Sequence, residues 1–519
     1  MPSPEELPAT PDSVTSNPNP AAVGASRGLV FITFAKLWFM VMGYVVQFAL
    51  PRALGSPAKW GIWVLVLSAV SPVNNVMITA TIQGVSKFVS EAEGRSGAVI
   101  RAALRLQALV AGGSALGFFL LAPVIADFWH DPELVGELRL AAGVILLYGF
   151  YAVFVGAANG ARAFHKQAGL DVASSTLRTV LVVGGALWFH EASGSLSGWV
   201  AAAGIILAAS MVVVGFGERP AEAFPWQRLG KLVSGLVGFL LILNLLMFVD
   251  GLLLKRLVTE AAVRAGAADP ATVANTTEGL YGAVQAVARL PYQLILAVTF
   301  VVFPLVSRAT FDADRARARG YVQVTMRYSL VVVAMLGTVL SVRPEATLRL
   351  LYKPEYAVGA AALAVLAAGY VCFSMFSIAC TVLNSAGRVM PSLVLGAMTL
   401  GLAVAANWLV VPRVLAVGGD ALLAAAMATS GAMAVGMLAS GVWLYRQFGA
   451  FLSLLSVARV AVCVAVAFGV GRLWPNSGFL GGKVGTLLSM CAMGAAFLST
   501  ALVSRELDVS ELLRARRAK

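Results

Sequence analysis

Charged residues are so widely spaced along this 519-residue chain that apolar stretches long enough to cross a bilayer recur along most of its length. About fourteen runs of about 20 residues can be counted. They begin near Leu29, Trp60, Ala102, Val135, Ala168, Ser197, Leu232, Gly279, Tyr321, Tyr356, Met390, Ala421, Leu452 and Gly482. As a helix rising about 1.5 Å per residue, each spans the roughly 30 Å hydrocarbon core. Water is absent there, so every span must satisfy its own backbone hydrogen bonds, and the pattern predicts an all-α integral membrane protein. Composition agrees. Only 12% of residues are charged and 59% are hydrophobic, where a soluble domain carries about 25% charged residues.

What lies between the spans is too short for a soluble domain. The longest connection, roughly Arg256 to Glu278, is Ala-rich and reads as a surface excursion. Residues 1–26, rich in Pro, Ser and Asn, read as a disordered cytoplasmic tail. The expected organisation continues with six-helix bundles over 27–217 and 218–446, two additional helices over 447–503 and a basic tail over 504–519.

The formal net charge of +13 raises the question of where the basic residues fall. With the N-terminus cytoplasmic, the inside segments hold 21 Lys and Arg and the outside loops 11. Cytoplasmic loops carry such an excess, which places both termini inside. The basic end (Arg514, Arg516, Arg517) then orients the chain or meets anionic lipid rather than nucleic acid.

The two halves resemble each other. Leu50-Pro51-Arg52, Trp60-Gly61 and Val85-Ser86-Lys87 recur in order as Leu254-Lys255-Arg256, Tyr281-Gly282 and Val306-Ser307-Arg308. Asn159-Gly160 and Asn384-Ser385 form a further pair, each before a short basic turn. Apolar helices share composition by default, but ordered spacing with like residues at both ends points to duplication. Two like-oriented halves followed by two helices is a transporter pattern, with a site between the bundles.

Ionisable groups inside a span cost about 2.5–3.5 kcal/mol each on insertion scales, so they call for a partner or a watery cavity. Lys36, Arg178 and Arg289 each lie about ten residues from a helix end, near mid-membrane by helical rise. They are the candidate substrate-binding cations. Polar stripes at helical spacing accompany them: Thr33, Lys36, Tyr44, Gln47; Ser68, Ser71, Asn75, Thr79, Gln83; Asp171, Ser175, Arg178; Tyr281, Gln285, Arg289, Tyr292; and Tyr370, Ser374, Ser377, Thr381, Ser385. From these, Gln47, Asn75, Gln285, Tyr292, Ser377 and Thr381 are candidate polar cavity residues. Such side chains also join helices by hydrogen bonds, and both roles stay open. Asp250 either pairs with Lys255 or Arg256 or serves as a proton or sodium site.

A cationic, water-filled cavity suits an anionic substrate, because guanidinium binds phosphate bidentately. No GxxxxGK[ST] loop is present, so the chain alone does not hydrolyse ATP. His130, His165 and His190 lack ligand spacing, and the four cysteines lie in apolar runs without CxxC and read as buried small hydrophobes. Neither a catalytic set, a metal site nor a cofactor is expected, and the chain does not read as an enzyme.

Leu50-Pro51-Arg52-Ala53-Leu54-Gly55, Trp60-Gly61 and Gly84-Val85-Ser86-Lys87-Phe88-Val89-Ser90-Glu91 resemble the opening of polysaccharide transporters in the multidrug/oligosaccharidyl-lipid/polysaccharide exporter superfamily. The resemblance continues through Asp250, Gly279-Leu280-Tyr281-Gly282, Phe303-Pro304, Leu350-Leu351-Tyr352 with Glu355-Tyr356, Leu383-Asn384-Ser385-Ala386-Gly387-Arg388, Asn407 and Val411-Pro412-Arg413. It implies two six-helix bundles in a V around a cavity open alternately to either side, with fourteen helices in the polysaccharide branch. It also implies passage of polyprenyl-diphosphate-linked oligosaccharide to the outer leaflet of a bacterial cytoplasmic (inner) membrane, for O-antigen, capsule or exopolysaccharide assembly. Cationic cavity residues of such proteins are thought to meet the diphosphate. Partners implied are the lipid-linked saccharide, membrane lipids, and a polysaccharide polymerase with assembly proteins. Within the same superfamily, a cation-coupled multidrug antiporter and a peptidoglycan-precursor lipid flippase stand as alternatives.

Overall fold

The computed structural model describes residues 20–92, 96–218, 223–295, 315–475 and 477–507. Among them run fourteen long helices: α1 (Pro20–Leu54), α2 (Pro57–Glu91), α3 (Ser96–Phe128), α4 (Leu134–Gly160), α5 (Phe164–Phe189), α6 (Ala192–Val214), α7 (Trp226–Arg264), α8 (Pro270–Ala288), α9 (Arg315–Val342), α10 (Ala360–Ser385), α11 (Val389–Ala416), α12 (Ala421–Phe448), α13 (Leu454–Leu473) and α14 (Lys483–Val503). Thirteen are long and apolar enough to cross a membrane. The other is α8, and the helix that follows it from Leu290 is described only to Ile295. The repeat residues Val306-Ser307-Arg308 and Phe303-Pro304 lie outside the described residues, as do residues 1–19 and 508–519.

Local chemistry sets the ends. Ser56 accepts a hydrogen bond from the Lys59 amide with Pro57 opening α2, Asp269 does the same for Thr272 before Pro270 at α8, and Asp420 accepts from Leu422 and Leu423 at α12. Each satisfies an amide that the first helical turn leaves free. Gly449 ends α12 at φ 65°, a left-handed conformation that glycine adopts without a Cβ clash.

Packing repeats at an offset of six helices. α1 packs on α5, α2 on α4, α3 on α4, α4 on α6 and α5 on α6; α7 packs on α11, α8 on α10, α9 on α10, α10 on α12 and α11 on α12. Two six-helix bundles related by an internal repeat follow directly. The remaining pair, α13 and α14, packs together and against α9, with a small apolar core of its own. Glu506, just past α14 and fully buried, accepts from Arg327 of α9 at 3.2 Å and lies 3.5 Å from Arg459 of α13.

Three expectations are corrected. The surface excursion expected from Arg256 to Glu278 is confined to the turn and helix ends between Val263 and Val273: α7 runs on to Arg264, α8 starts at Pro270, and Thr259, Ala274, Asn275 and Glu278 are buried. Helix α1 begins at Pro20, inside the segment expected as a tail. Of the four cysteines, Cys491 is exposed on α14 rather than buried.

Candidate functional site

The bundles meet where α2 crosses α7 and α8. At the Pro57 end of α2 the approach is so close that a Cβ on Gly61 would overlap the Asn275 carbonyl, and one on Gly279 the Pro57 carbonyl. Glycine permits that backbone contact. Beside the crossing, the turn between α3 and α4 docks onto the second bundle. Trp129 Nε1 donates to the Leu252 carbonyl at 3.0 Å and Arg256 to that of Phe128 at 2.8 Å. Lys255 Nζ reaches Asp131 Oδ2 at 2.8 Å and Asn275 Oδ1 at 2.7 Å, all three buried. At the opposite end of α2, Phe88 packs on Phe224 and beneath Arg228, and Gly84 lies against Val233 and Leu229.

Between these two closures sits a cavity of about 20 Å³, lined among others by Gln47, Ser68, Phe248, Gln285 and Arg289, with room for about one water. Arg289 follows α8 directly. Its Nε donates to Tyr370 Oη at 2.8 Å, its Nη2 to Gln285 Oε1 at 3.0 Å and to the Met247 carbonyl, and its guanidinium stands over the Phe248 ring at 4.6 Å. All of these are neutral partners. Among the described residues no carboxylate comes within ion-pair distance of Arg289. The nearest link to one is a relay: Gln285 Nε2 donates to Asp250 Oδ1 at 2.7 Å.

Asp250 does not pair with Lys255 or Arg256. It accepts from Tyr281 Oη at 2.8 Å, from Gln285 and from the Gly251 amide at 3.0 Å. The reason is geometric. Lys255 is turned toward Asp131 and Asn275, and Arg256 toward Glu260 at 2.8 Å.

The other two cations sit apart from this centre, between α1 and α5. Lys36 pairs with Asp171 at 2.8 Å, and Arg178 stands over Phe39 at 4.9 Å. Lys36 is therefore compensated by a carboxylate, whereas Arg289 is not. Asn75 donates to Asn244 of α7 at 3.2 Å, across the bundle interface. Tyr292 packs on Phe373 with ring centroids 4.8 Å apart. Ser377 is buried nearby, and Thr381 donates to the Ser377 carbonyl within α10. Gln47, Gln285 and Arg289 thus share one cavity; Asn75 joins the bundles at a separate point; Lys36 and Arg178 belong to the α1–α5 pair.

Sequence reasoning missed Tyr370 as a partner of Arg289, the Lys255–Asp131–Asn275 cluster, and Glu278. The signal for Glu278 was present. Steps of three and four lead from Tyr281 and Gln285 back to Glu278 and Asn275 on one helical face.

Two repeated six-helix bundles with a polar centre at their junction, followed by two helices, together with a family match over residues 50–358, place the chain among the transporters of the multidrug/oligosaccharidyl-lipid/polysaccharide exporter superfamily. The fold is similar to that of the lipid II flippase MurJ in an inward closed conformation (TM-score 0.71, 11% identity, covering 92% of this chain and 99% of that one). It is similar also to the Vibrio cholerae MATE transporter VcmN (TM-score 0.56, 14% identity, 82% and 97%). Within that superfamily the chain belongs to the polysaccharide biosynthesis protein family, whose model matches residues 50–358. A relative in Bacillus subtilis strain 168, the uncharacterized membrane protein YabM, is 24% identical over 404 residues, 74% of each chain.

Proposed function

We propose that this protein moves a polyprenyl-diphosphate-linked oligosaccharide from the cytoplasmic to the outer leaflet of the bacterial inner membrane by alternating access, for assembly of a cell-surface polysaccharide such as O-antigen, capsule or exopolysaccharide. The observation that carries the reading is Arg289. A buried cation at the junction of the two bundles, held only by neutral oxygens, retains its charge for an anionic ligand. Guanidinium and diphosphate suit each other, since the planar fork meets two phosphate oxygens at once. Membership of a polysaccharide biosynthesis family supports the saccharide end of the substrate. Lys36 and Arg178 take a secondary place, as cations along α1 and α5 that a long headgroup meets once the bundles part.

The excess of Lys and Arg in one set of loops supports cytoplasmic termini. In that orientation the glycine crossing and the Lys255 cluster close the outer side, and the Phe88–Phe224 contact closes the inner side. A polysaccharide polymerase and assembly proteins would receive the carried lipid on the outer face.

Transport of a fluorescent polyprenyl-diphosphate saccharide into the far leaflet of liposomes tests the proposal. Arg289→Ala is expected to lower the rate at subsaturating substrate by about 10- to 100-fold, the loss of one charge-assisted contact. Arg289→Lys is expected to recover part of it. Transport unchanged in Arg289→Ala, or absent from the native protein, rejects the proposal.

A further inference from the structure

Glu278 is the most anomalous group in the described residues. Its side chain is fully buried, and neither carboxyl oxygen has a hydrogen-bond partner. Oε1 lies so close to Gly251 that any side chain there would meet it. The next residue back is Asp250, whose oxygens are already taken up by Tyr281, Gln285 and the Gly251 amide. The two carboxyls are therefore neighbours of unequal kind. Asp250 is solvated by donors, and Glu278 by none.

An ionised carboxylate without donors or water is costly enough that the group neutralises instead. The charged groups facing Glu278 do not change this. Asp250 from α7 opposes ionisation; Lys255 from α7 and Arg289 beyond α8 favour it, but Lys255 is bound to Asp131 and Asn275 and Arg289 to Tyr370 and Gln285. From α2, across the crossing, the charged group is Lys59, which reaches out to Glu191 at 2.7 Å.

The carboxyl of Glu278 lies against Gly251 of α7, on the flank of the crossing that α2 makes with α7 and α8. Its neighbour in the chain, Gly279, is the residue that touches the Pro57 carbonyl and the Gly61 amide of α2. Withdrawing α2 from α7 and α8 would open that flank to water. We propose that Glu278 is a proton-binding site whose occupancy is linked to the α2–α8 seal: it holds one proton while the seal is closed and gives that proton to entering water when the seal opens. Each closing of the seal then takes up one proton. This deepens the alternating-access reading above, and rests on it for the meaning of the open state.

The experiment is a distance measurement without substrate, so it stands or falls independently of what the transporter carries. Spin labels at Ala58 of α2 and Val273 of α8, in a chain with its four cysteines replaced, report the separation across the seal in lipid nanodiscs. In acid the short distance is expected to dominate. As pH rises, a longer distance should appear, with the closed-to-open ratio falling by up to about tenfold per pH unit for a single proton. Glu278→Gln, a neutral isostere, should stay closed throughout. A native chain whose distance does not respond to pH overturns the proposal, and so does a Glu278→Gln chain that keeps the native response. A distance that follows sodium concentration at fixed pH overturns it in favour of a metal-ion site.

Discussion

At the scale of single residues, this protein separates charges by how each is compensated. Lys255 and Asp131 are both buried and satisfy each other at 2.8 Å, with Asn275 taking a second proton of the ammonium. Removing one partner of such a pair leaves an uncompensated buried charge, at a cost of about 3–5 kcal/mol, whereas replacing both can be close to neutral. Lys255→Met is therefore expected to lower the thermal unfolding temperature in detergent, and Lys255→Met with Asp131→Asn to restore most of the loss. Equal destabilisation of the single and double variants would show that the pair is not coupled. Arg289 follows the opposite rule, a cation with only neutral partners, and its substitution should appear in transport more than in stability. That Lys36, Arg178 and Arg289 lie on or directly beside long helices was legible from the spacing of the spans. Their unequal pairing was not, because Asp171 approaches Lys36 from another helix, 135 residues on.

At the scale of elements, the crossing of α2 and α8 is where the backbones of the two bundles touch. Gly61, Gly279 and Gly282 place backbone against backbone and against Val64. A side chain cannot be added there without moving a helix, because the obstructing atoms at Gly61 and Gly279 are carbonyls rather than flexible side-chain ends. Gly279→Leu is expected to hold α2 and α8 apart, with cysteines at Ala58 and Val273 then cross-linking at least several-fold more slowly than in the native background. Unchanged cross-linking would mean that the crossing does not set the closed state. The glycines were visible in the sequence as Trp60-Gly61 and Tyr281-Gly282, and were read as equivalent markers of two halves. That the two equivalent helices are also each other's contact is a tertiary fact. The same holds for the two ends of the stretch after Arg256, where Thr259, Asn275 and Glu278 are buried by neighbours rather than by hydrophobicity of their own.

Across the whole molecule, the proposed orientation in the membrane rests on the excess of Lys and Arg in one set of loops. With termini cytoplasmic, a reporter fused after Lys519 should be active only if it folds in the cytoplasm, and one inserted at Gly266 only if it folds outside. The reverse pattern would invert the assignment of outer and inner closures. The all-helical membrane architecture, the internal repeat and the trailing pair of helices could be read from hydropathy and spacing, because a lipid environment forces each span to satisfy its backbone alone and so leaves a local signature. Packing between spans leaves a weaker one. Lipid tails are as apolar as the helix faces they touch, so hydrophobicity does not say which face meets protein; glycines, polar atoms and shape do. That is why Arg289 could be nominated from its place in the chain, while the neutral cage around it, the closed junction and the solitary carboxyl of Glu278 emerged only once α2, α7, α8 and α10 stood together.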